Sequence, residues 1–274
     1  VEKAKRKFKT NEALFAVFLS LEGSVFATER SFQEAISSYQ RALRMYDDLK
    51  MEREAAYVKN NIANVFFNLN DFESAHKYAS ESFETVFKLK DTLYYPQIAA
   101  ILSISETKTN RFASAKKHAD LAVTAGQTYK NPVAIILGKY ALGDIYGEER
   151  DWEKAKIEYT TVVTLSEQMH LLQYELFGRI GLLATAVAQK HYDEAILQGE
   201  KALAIIKTIG INYADYTIYQ QLSLAYHELG NDEKAYNYLN KANTAFRSYN
   251  TLQNKNAIQE LLTKYATEKK ERAL

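Results

Sequence analysis

The chain has 274 residues, 47% of them apolar, with 35 basic against 34 acidic side chains, two Pro and no Cys. A net charge of +1 gives no electrostatic reason to favour a nucleic-acid or acidic-membrane partner, and the absence of Cys excludes disulfides and thiolate metal sites. No apolar run approaches the ~18 residues of a membrane span, and Val1 to Thr10 lacks the apolar stretch of a signal peptide.

Taken in order, VEKAKRKFKT is basic and helix-compatible, and reads as a solvated, frayed edge. The spacing then predicts a helix from about Glu12 to Thr28, with Phe15, Phe18, Leu19, Val25 and Phe26 as its inward stripe. A second helix follows Ser31, a candidate N-cap, and carries Phe32, Ala35, Ile36, Tyr39, Ala42, Leu43 and Tyr46 inward. This pair recurs. Ala35 returns as Ala75, Ala115, Ala155, Ala195 and Ala235, and three residues before these stand Phe32, Phe72, Phe112, Trp152, Tyr192 and, breaking the run, Asp232. A fixed period of this length signals a solenoid, in which each unit buries its apolar face only by stacking on its neighbours.

Helix pairs are expected at about 52 to 69 and 72 to 90, 94 to 109 and 112 to 128, 132 to 148 and 152 to 169, 172 to 189 and 192 to 208, and 212 to 229 and 232 to 248. Pro96 and Asn131-Pro132 sit where first helices should begin. Gly210 and Gly230 lie just past helix ends, and Asp71 and Asp151 lie at N-termini, where the helix dipole favours an acid. Gly23, Ala63, Ser103 and Gly143, twelve before the repeated Ala, are read as facing it at helix crossings. Glu106 and Ala186 stand where other units carry rings such as Phe26 and Tyr146, and weaken the expected packing of units three and five. Beyond Thr251, the stripe Leu252, Ile258, Leu261, Leu262, Tyr265 and Ala266 ends in a charged run with no stop signal. It reads equally as a capping helix or as a connector into a coiled coil, and the connector reading carries with it a homodimer through this helix.

Gly23, Phe26, Ala35, Tyr39 and Ala42, and again Gly143, Tyr146, Trp152, Ala155 and Tyr159, resemble the small and large signature residues of a tetratricopeptide repeat (TPR). The resemblance implies an all-α fold: a right-handed superhelix, or α-solenoid, of six helix-turn-helix repeats (about 12–50, 51–90, 91–130, 131–170, 171–210 and 211–250) plus a C-terminal helix 251–274, as one domain. Two subfamilies compete. The tail is similar to the junction of bacterial TPR sensors that precede a histidine kinase or LuxR-type module, whereas the long repeats and the Asn residues are similar to peptide-pheromone receptors of the Rap and PlcR type. The first implies a periplasmic location if the chain is tethered to a membrane and the second a cytoplasmic one.

Chemistry-bearing motifs are scarce. The His residues show no HExxH spacing, and GKYALGDIYG lacks the closing Lys-Ser/Thr of a phosphate loop, so its Gly residues read as close packing. No catalytic residue, metal or cofactor is therefore expected. What stands out is AAYVKNNIANVFFNLN, in which Tyr57, Asn60, Asn61, Asn64 and Asn68 share one helical face. Each Asn costs up to ~0.7 kcal/mol in a helix relative to Ala, and each carboxamide has donors and acceptors suited to a peptide backbone. The competing reading is Asn as ordinary surface polarity or as a cap on a neighbouring loop. If first helices line the concave wall, the same offset adds Gln97, Tyr140, Asp144, Thr217, Gln220 and His227, with Phe177, Ile180, Ala184 and Val187 as an apolar stretch. The function expected is binding of a protein or peptide by a sensory or regulatory module; a passive adaptor for assembling other proteins is the alternative.

Overall fold

In the computed structural model the backbone is described for residues 2–210 and 215–252, and side chains for 11–210 and 215–247. These residues form helices and no strand. The helices are α1 (Glu2–Thr28), α2 (Phe32–Asp48), α3 (Glu52–Asn68), α4 (Phe72–Lys88), α5 (Tyr95–Lys108), α6 (Phe112–Thr128), α7 (Pro132–Glu148), α8 (Trp152–Gln168), α9 (Leu172–Ala188), α10 (Tyr192–Ile209), α11 (Asp215–Glu228) and α12 (Asp232–Leu252). None of them is long and apolar enough to cross a membrane. The expected capping or connector helix lies outside the described residues, as does the start expected for the sixth first helix at 212.

A single device makes the period. Arg30, Lys50, Asn70, Lys90, Asn110, Lys130, Arg150, His170 and Lys190 all have positive φ, as do Gly210 and Gly230, so a left-handed residue falls every 20 positions. At Arg30 the backbone N–H donates to the carbonyl of Ala27 at 3.2 Å and the next N–H, of Ser31, to Phe26 at 2.9 Å. The same pair of bonds closes the helices before Lys50, Asn70 and Lys90, and before each left-handed residue from Asn110 to Lys190. This is the Schellman arrangement, which satisfies carbonyls that a helix end leaves bare. The residue after the left-handed one is at once the cap of the following helix: Ser31 accepts from Ala35 N–H through its carbonyl at 2.9 Å. Its side chain makes no capping bond, unlike those of Asp71, Asn131 and Asp151, which accept from Ser74, Ala134 and Lys154 N–H. Among the helix starts that are described, α5 is the late one. A helix beginning at Thr92 would put Pro96 in its fifth position, where the ring meets a carbonyl four residues back; the helix instead begins at Tyr95, with Pro96 in its first turn.

Helix packing groups these elements into two compact units, one ending at Asp91 and the other comprising Thr92–Thr251. In the first unit, α1 to α4 enclose Leu19, Phe32, Ala35, Ile36, Tyr39, Leu43, Tyr46, Val58, Ile62 and Phe66. The inward residues expected of α2 are all buried. The stripe expected of α1 is divided: Leu19 is buried and Phe26 packs on the core, but Phe15, Phe18 and Val25 are exposed. These three belong to a second apolar face, which spacing alone merged with the first.

In the second unit α5, α7 and α9 each pack on their own second helix, and α7, α9 and α11 each pack on the second helix of the preceding pair. The first helices α5, α7, α9 and α11 also touch in succession, so they form one wall of this unit. The small residues permit the crossings: a Cβ added to Gly143 would lie 2.6 Å from the Tyr159 ring, and one on Gly23 would lie 2.7 Å from that of Tyr39. The glycines thus face the residue four beyond the repeated Ala. Ser103 and Ser223 do face the Ala itself, donating to the carbonyls of Ala115 and Ala235 at 2.6 and 2.8 Å. Units three and five pack in spite of their departures. Glu106 is buried and meets His118 Nδ1 at 2.7 Å, and Ala186 lies within a core of Leu176, Leu183, Ala195, Ile205 and Leu222.

Candidate functional site

Along α3, Asn60, Asn61 and Asn64 are half-buried and Asn68 is exposed. The Oδ1 of Asn60 is buried without a hydrogen-bond partner. Neither Asn61 nor Asn64 has a side-chain bond among the described residues. Asn61 and Asn64 are therefore the amides of this face that an incoming donor or acceptor can reach. The flanking candidates are engaged already. Asn68 Nδ2 donates to the carbonyl of Asn64 at 2.8 Å. Tyr57 donates its hydroxyl to the buried Asp91 carboxylate, which Arg53 Nε approaches to 3.4 Å.

In the second unit, Gln97 donates to Asn131 Oδ1 at 3.3 Å. That oxygen caps α7, and Asn131 Nδ2 donates to the carbonyl of Leu93 at 2.8 Å, so Gln97 serves a helix start. Tyr140 stands with its ring 5.9 Å from Tyr159 and 5.6 Å from Phe177, and Tyr174 meets Phe177 edge-on at 6.2 Å. Asp144 Oδ1 accepts from the Tyr159 hydroxyl at 2.7 Å. Burial raises the Asp144 carboxyl above the usual aspartate range, against the opposing pull of Lys108 and of the Tyr159 and Tyr140 hydroxyls. Burial, then the Asp144 charge, pushes both phenols well above their ordinary value. The wall here holds protonated phenols around one carboxyl, with the half-buried Phe177 beside it; Ile180 and Val187, also half-buried, pack instead on the core of Leu176, Leu183 and Ala195, and Ala184 is half-buried. Gln220 is exposed and Thr217 half-buried; His227 is exposed and pairs through Nδ1 with Asp232 at 2.9 Å.

Two residues that sequence reasoning passed over complete this wall. Lys108 donates to Glu148 at 3.0 Å and acts electrostatically on Asp144. The signal was present, since Lys108 and Glu148 are 40 residues apart and so occupy one position on adjacent first helices. Tyr159 reaches the wall from a second helix, and only its place opposite Gly143 hinted at that. Among the described residues no three His, Asp or Glu are grouped to hold a metal ion.

Residues 216–249, covering α11 and most of α12, match the family model described as Tetratricopeptide repeat. Most of the chain superposes on solved structures of the same helix-pair design. It covers 95% of its own length and 76% of a Rap protein complexed with competence and sporulation factor, at TM-score 0.68 and 15% identity. The fold is a tetratricopeptide-repeat solenoid. Similar in the same way are a signal transduction ATPase with numerous domains from Pyrococcus horikoshii, which carries a tetratricopeptide-repeat sensor (TM-score 0.64, 17% identity, 89% of this chain and 36% of that one), and the Rap conjugation gene regulator of plasmid pLS20 in complex with a Phr peptide (TM-score 0.56, 15% identity, 87% and 75%). At these identities the likeness is one of TPR fold. No curated protein matches the chain by sequence.

Proposed function

We propose that this TPR chain is a non-catalytic binding module that takes an extended peptide or protein segment on its first-helix surfaces, as the sensory or regulatory part of a bacterial signalling protein. The observation that carries this is the half-buried face of Asn61 and Asn64, beside Asn60, whose carboxamides make no bond to other described residues. A peptide backbone supplies donors and acceptors at a spacing that carboxamides one helical turn apart can meet, whatever its sequence. The rings of Tyr140, Tyr174 and Phe177 on α7 and α9 offer a separate apolar surface for side chains. The complex of the Rap conjugation gene regulator with a Phr peptide favours a peptide as occupant; a passive adaptor, or a pheromone receptor of the Rap type, would use the same surfaces.

The test begins with a display library of random linear peptides panned on the wild-type chain. Titration calorimetry of a selected peptide should show binding weakened ~5- to 150-fold by Asn60→Ala or Asn64→Ala, the equivalent of ~1 to 3 kcal/mol for a hydrogen-bonded group. The melting temperature should hold or rise, because Ala is the better helix former. Peptides that bind both variants as tightly as the wild type would remove α3 as the site.

A further inference from the structure

The first-helix wall of the second unit is short of one positive charge. Lys108 of α5 donates to Glu148 of α7 at 3.0 Å and also acts on Asp144, so a single ammonium serves two carboxyls. Burial raises the Asp144 carboxyl first of all, and the charge of Glu148 adds to that against the pull of Lys108. A carboxyl placed beside a like charge is stabilised by any further cation that reaches it. The other basic side chains of α7 and α9 are committed elsewhere: Lys139 pairs with Glu158 at 2.8 Å, and Arg179 with Glu175 and Glu167.

The repeat register shows where a second cation would sit. Forty residues beyond Asp144 and Glu148, the neighbouring first helix α9 carries Ala184 and Ala188, the one half-buried and the other exposed. Methyl groups there leave room beside the carboxyls and bring no charge of their own. The half-buried rings of Tyr140 and Phe177, 5.6 Å apart on the same two helices, stand one turn before Asp144 and two turns before Ala184. An aromatic face attracts a cation through its quadrupole, more strongly where water is partly excluded. We infer that the ammonium or guanidinium of a Lys or Arg side chain in the bound segment seats beside Asp144 and Glu148, over Ala184 and Ala188, with its stem along the rings of Tyr140 and Phe177. This rests on the proposed peptide-binding role of the TPR chain and adds the charge of the side chain that the second unit selects.

The probe is N-acetyl-arginine amide, a monocation without free termini, and N-acetyl-citrulline amide is its uncharged isostere. Ring signals of Tyr140 and Phe177 in the full chain, assigned with Tyr140→Leu and Phe177→Leu, are followed by NMR. The arginine amide should shift them along a saturating curve and the citrulline amide should not. Asp144→Asn should weaken binding ~10-fold or more, as loss of a charged partner does, while its carbonyl still accepts the Tyr159 hydroxyl. Lys108→Met should tighten binding ~2- to 5-fold by leaving both carboxylates to the probe, a gain that a purely structural lysine would not produce. Glu148→Gln, at an exposed position, should weaken it ~2- to 5-fold and serves if circular dichroism shows that Asp144→Asn does not fold. The absence of a saturable shift, equal shifts with the citrulline amide, or weaker binding in Lys108→Met overturns the inference. Peptides panned on the wild-type chain should be richer in Lys and Arg than the input library. A pool that loses affinity in Asn64→Ala but shows no such enrichment overturns the inference and leaves the peptide-binding role standing. A library that yields no binder overturns that role, and a saturable shift confined to the arginine amide would still uphold the cation seat.

Discussion

Gly181→Ala probes the tightest crossing in the structure. The ring of Tyr159 lies between α7 and α9, and a Cβ at Gly181 would come within 2.5 Å of its Cδ1 and Cε1. The ring has no room to retreat: Gly143 on α7 already needs to be bare, and the hydroxyl is tied to Asp144 at 2.7 Å. Overpacking of this kind costs ~1 to 3 kcal/mol, and with both directions blocked the upper end applies. Replacing Gly by Ala in a helix returns about 1 kcal/mol, which leaves a net loss of ~2 kcal/mol. For a unit of this size that is a fall of roughly 4 to 8 °C in melting temperature, read by circular dichroism. Gly147→Ala is the control, because the nearest atoms to its Cβ are Tyr159 Oη at 3.9 Å and Trp152 Cζ3 at 4.0 Å. It should gain up to ~1 kcal/mol from propensity alone. Tyr159→Leu should cost less in the Gly181→Ala background than in the wild type, since the ring that clashes is gone. A melting temperature that rises in Gly181→Ala would refute the crossing as described.

Three further outcomes are expected. Gly230→Ala should cost ~1 kcal/mol for backbone conformation alone, because φ is +75° and nothing lies within 4 Å of an added Cβ; no change in denaturant midpoint would contradict it. Arg179 is buried and joins three helices, with Nε 2.6 Å from Glu175, NH2 on Glu167 and NH1 3.1 Å from Gln198. Arg179→Ala should destabilise by ~3 to 5 kcal/mol by stranding the buried Glu175, and Arg179→Met with Glu175→Leu should recover most of it; equal losses in the single and double variants would show that the charge pair is not the cause. Burial raises the Asp144 carboxyl from its ordinary 3.8, so the folded state holds this proton more tightly than the unfolded one. The stabilisation is present below the unfolded value and lost as pH rises through the folded one. Asp144→Asn should remove that step from a plot of melting temperature against pH rising from below the ordinary aspartate value, and parallel wild-type and variant profiles would argue against it.

The helix pairs were legible because the same apolar positions return every 40 residues, and Pro96 and Asn131-Pro132 mark helix starts by their backbone chemistry. The 20-residue beat of left-handed residues was harder to see. Gly210 and Gly230 advertise positive φ, but Lys50, Lys90, Lys130 and Lys190 do so only through the period, since the tertiary fold holds a costly conformation that their side chains do not prefer. The division of α1 into two apolar faces was illegible for another reason. Phe18 and Val25 recur at helical spacing whether or not a partner helix covers them, and exposure belongs to the neighbour rather than to the pattern.

The candidate site shows the same limit at the level of single bonds. Tyr57 and Gln97 occupy one repeat position, and each reaches 34 residues ahead, to Asp91 and to Asn131. Both targets follow a left-handed residue, Lys90 or Lys130, so the first-helix residue fastens the chain where the next unit begins. In the following units the position holds Leu137 and Phe177, and Leu171 stands 34 after Leu137, so the polar fastening gives way to apolar residues. A polar residue at this position is thus explained by the repeat itself and needs no ligand. The residues one and two turns further along escape that explanation. The positions 34 after Asn60 and Asn64 hold Tyr94 and Ile98, neither of which carries a carboxylate or amide side chain, and the Asn60 oxygen is buried and unsatisfied. Subtracting the bonds that build the solenoid therefore narrows the α3 face to three carboxamides. Asn64→Ala and Tyr57→Phe then separate the two roles: the first should weaken peptide binding and spare the melting temperature, and the second should lower the melting temperature and leave the calorimetric affinity alone. The reverse pattern would assign the amides to the scaffold and Tyr57 to the ligand.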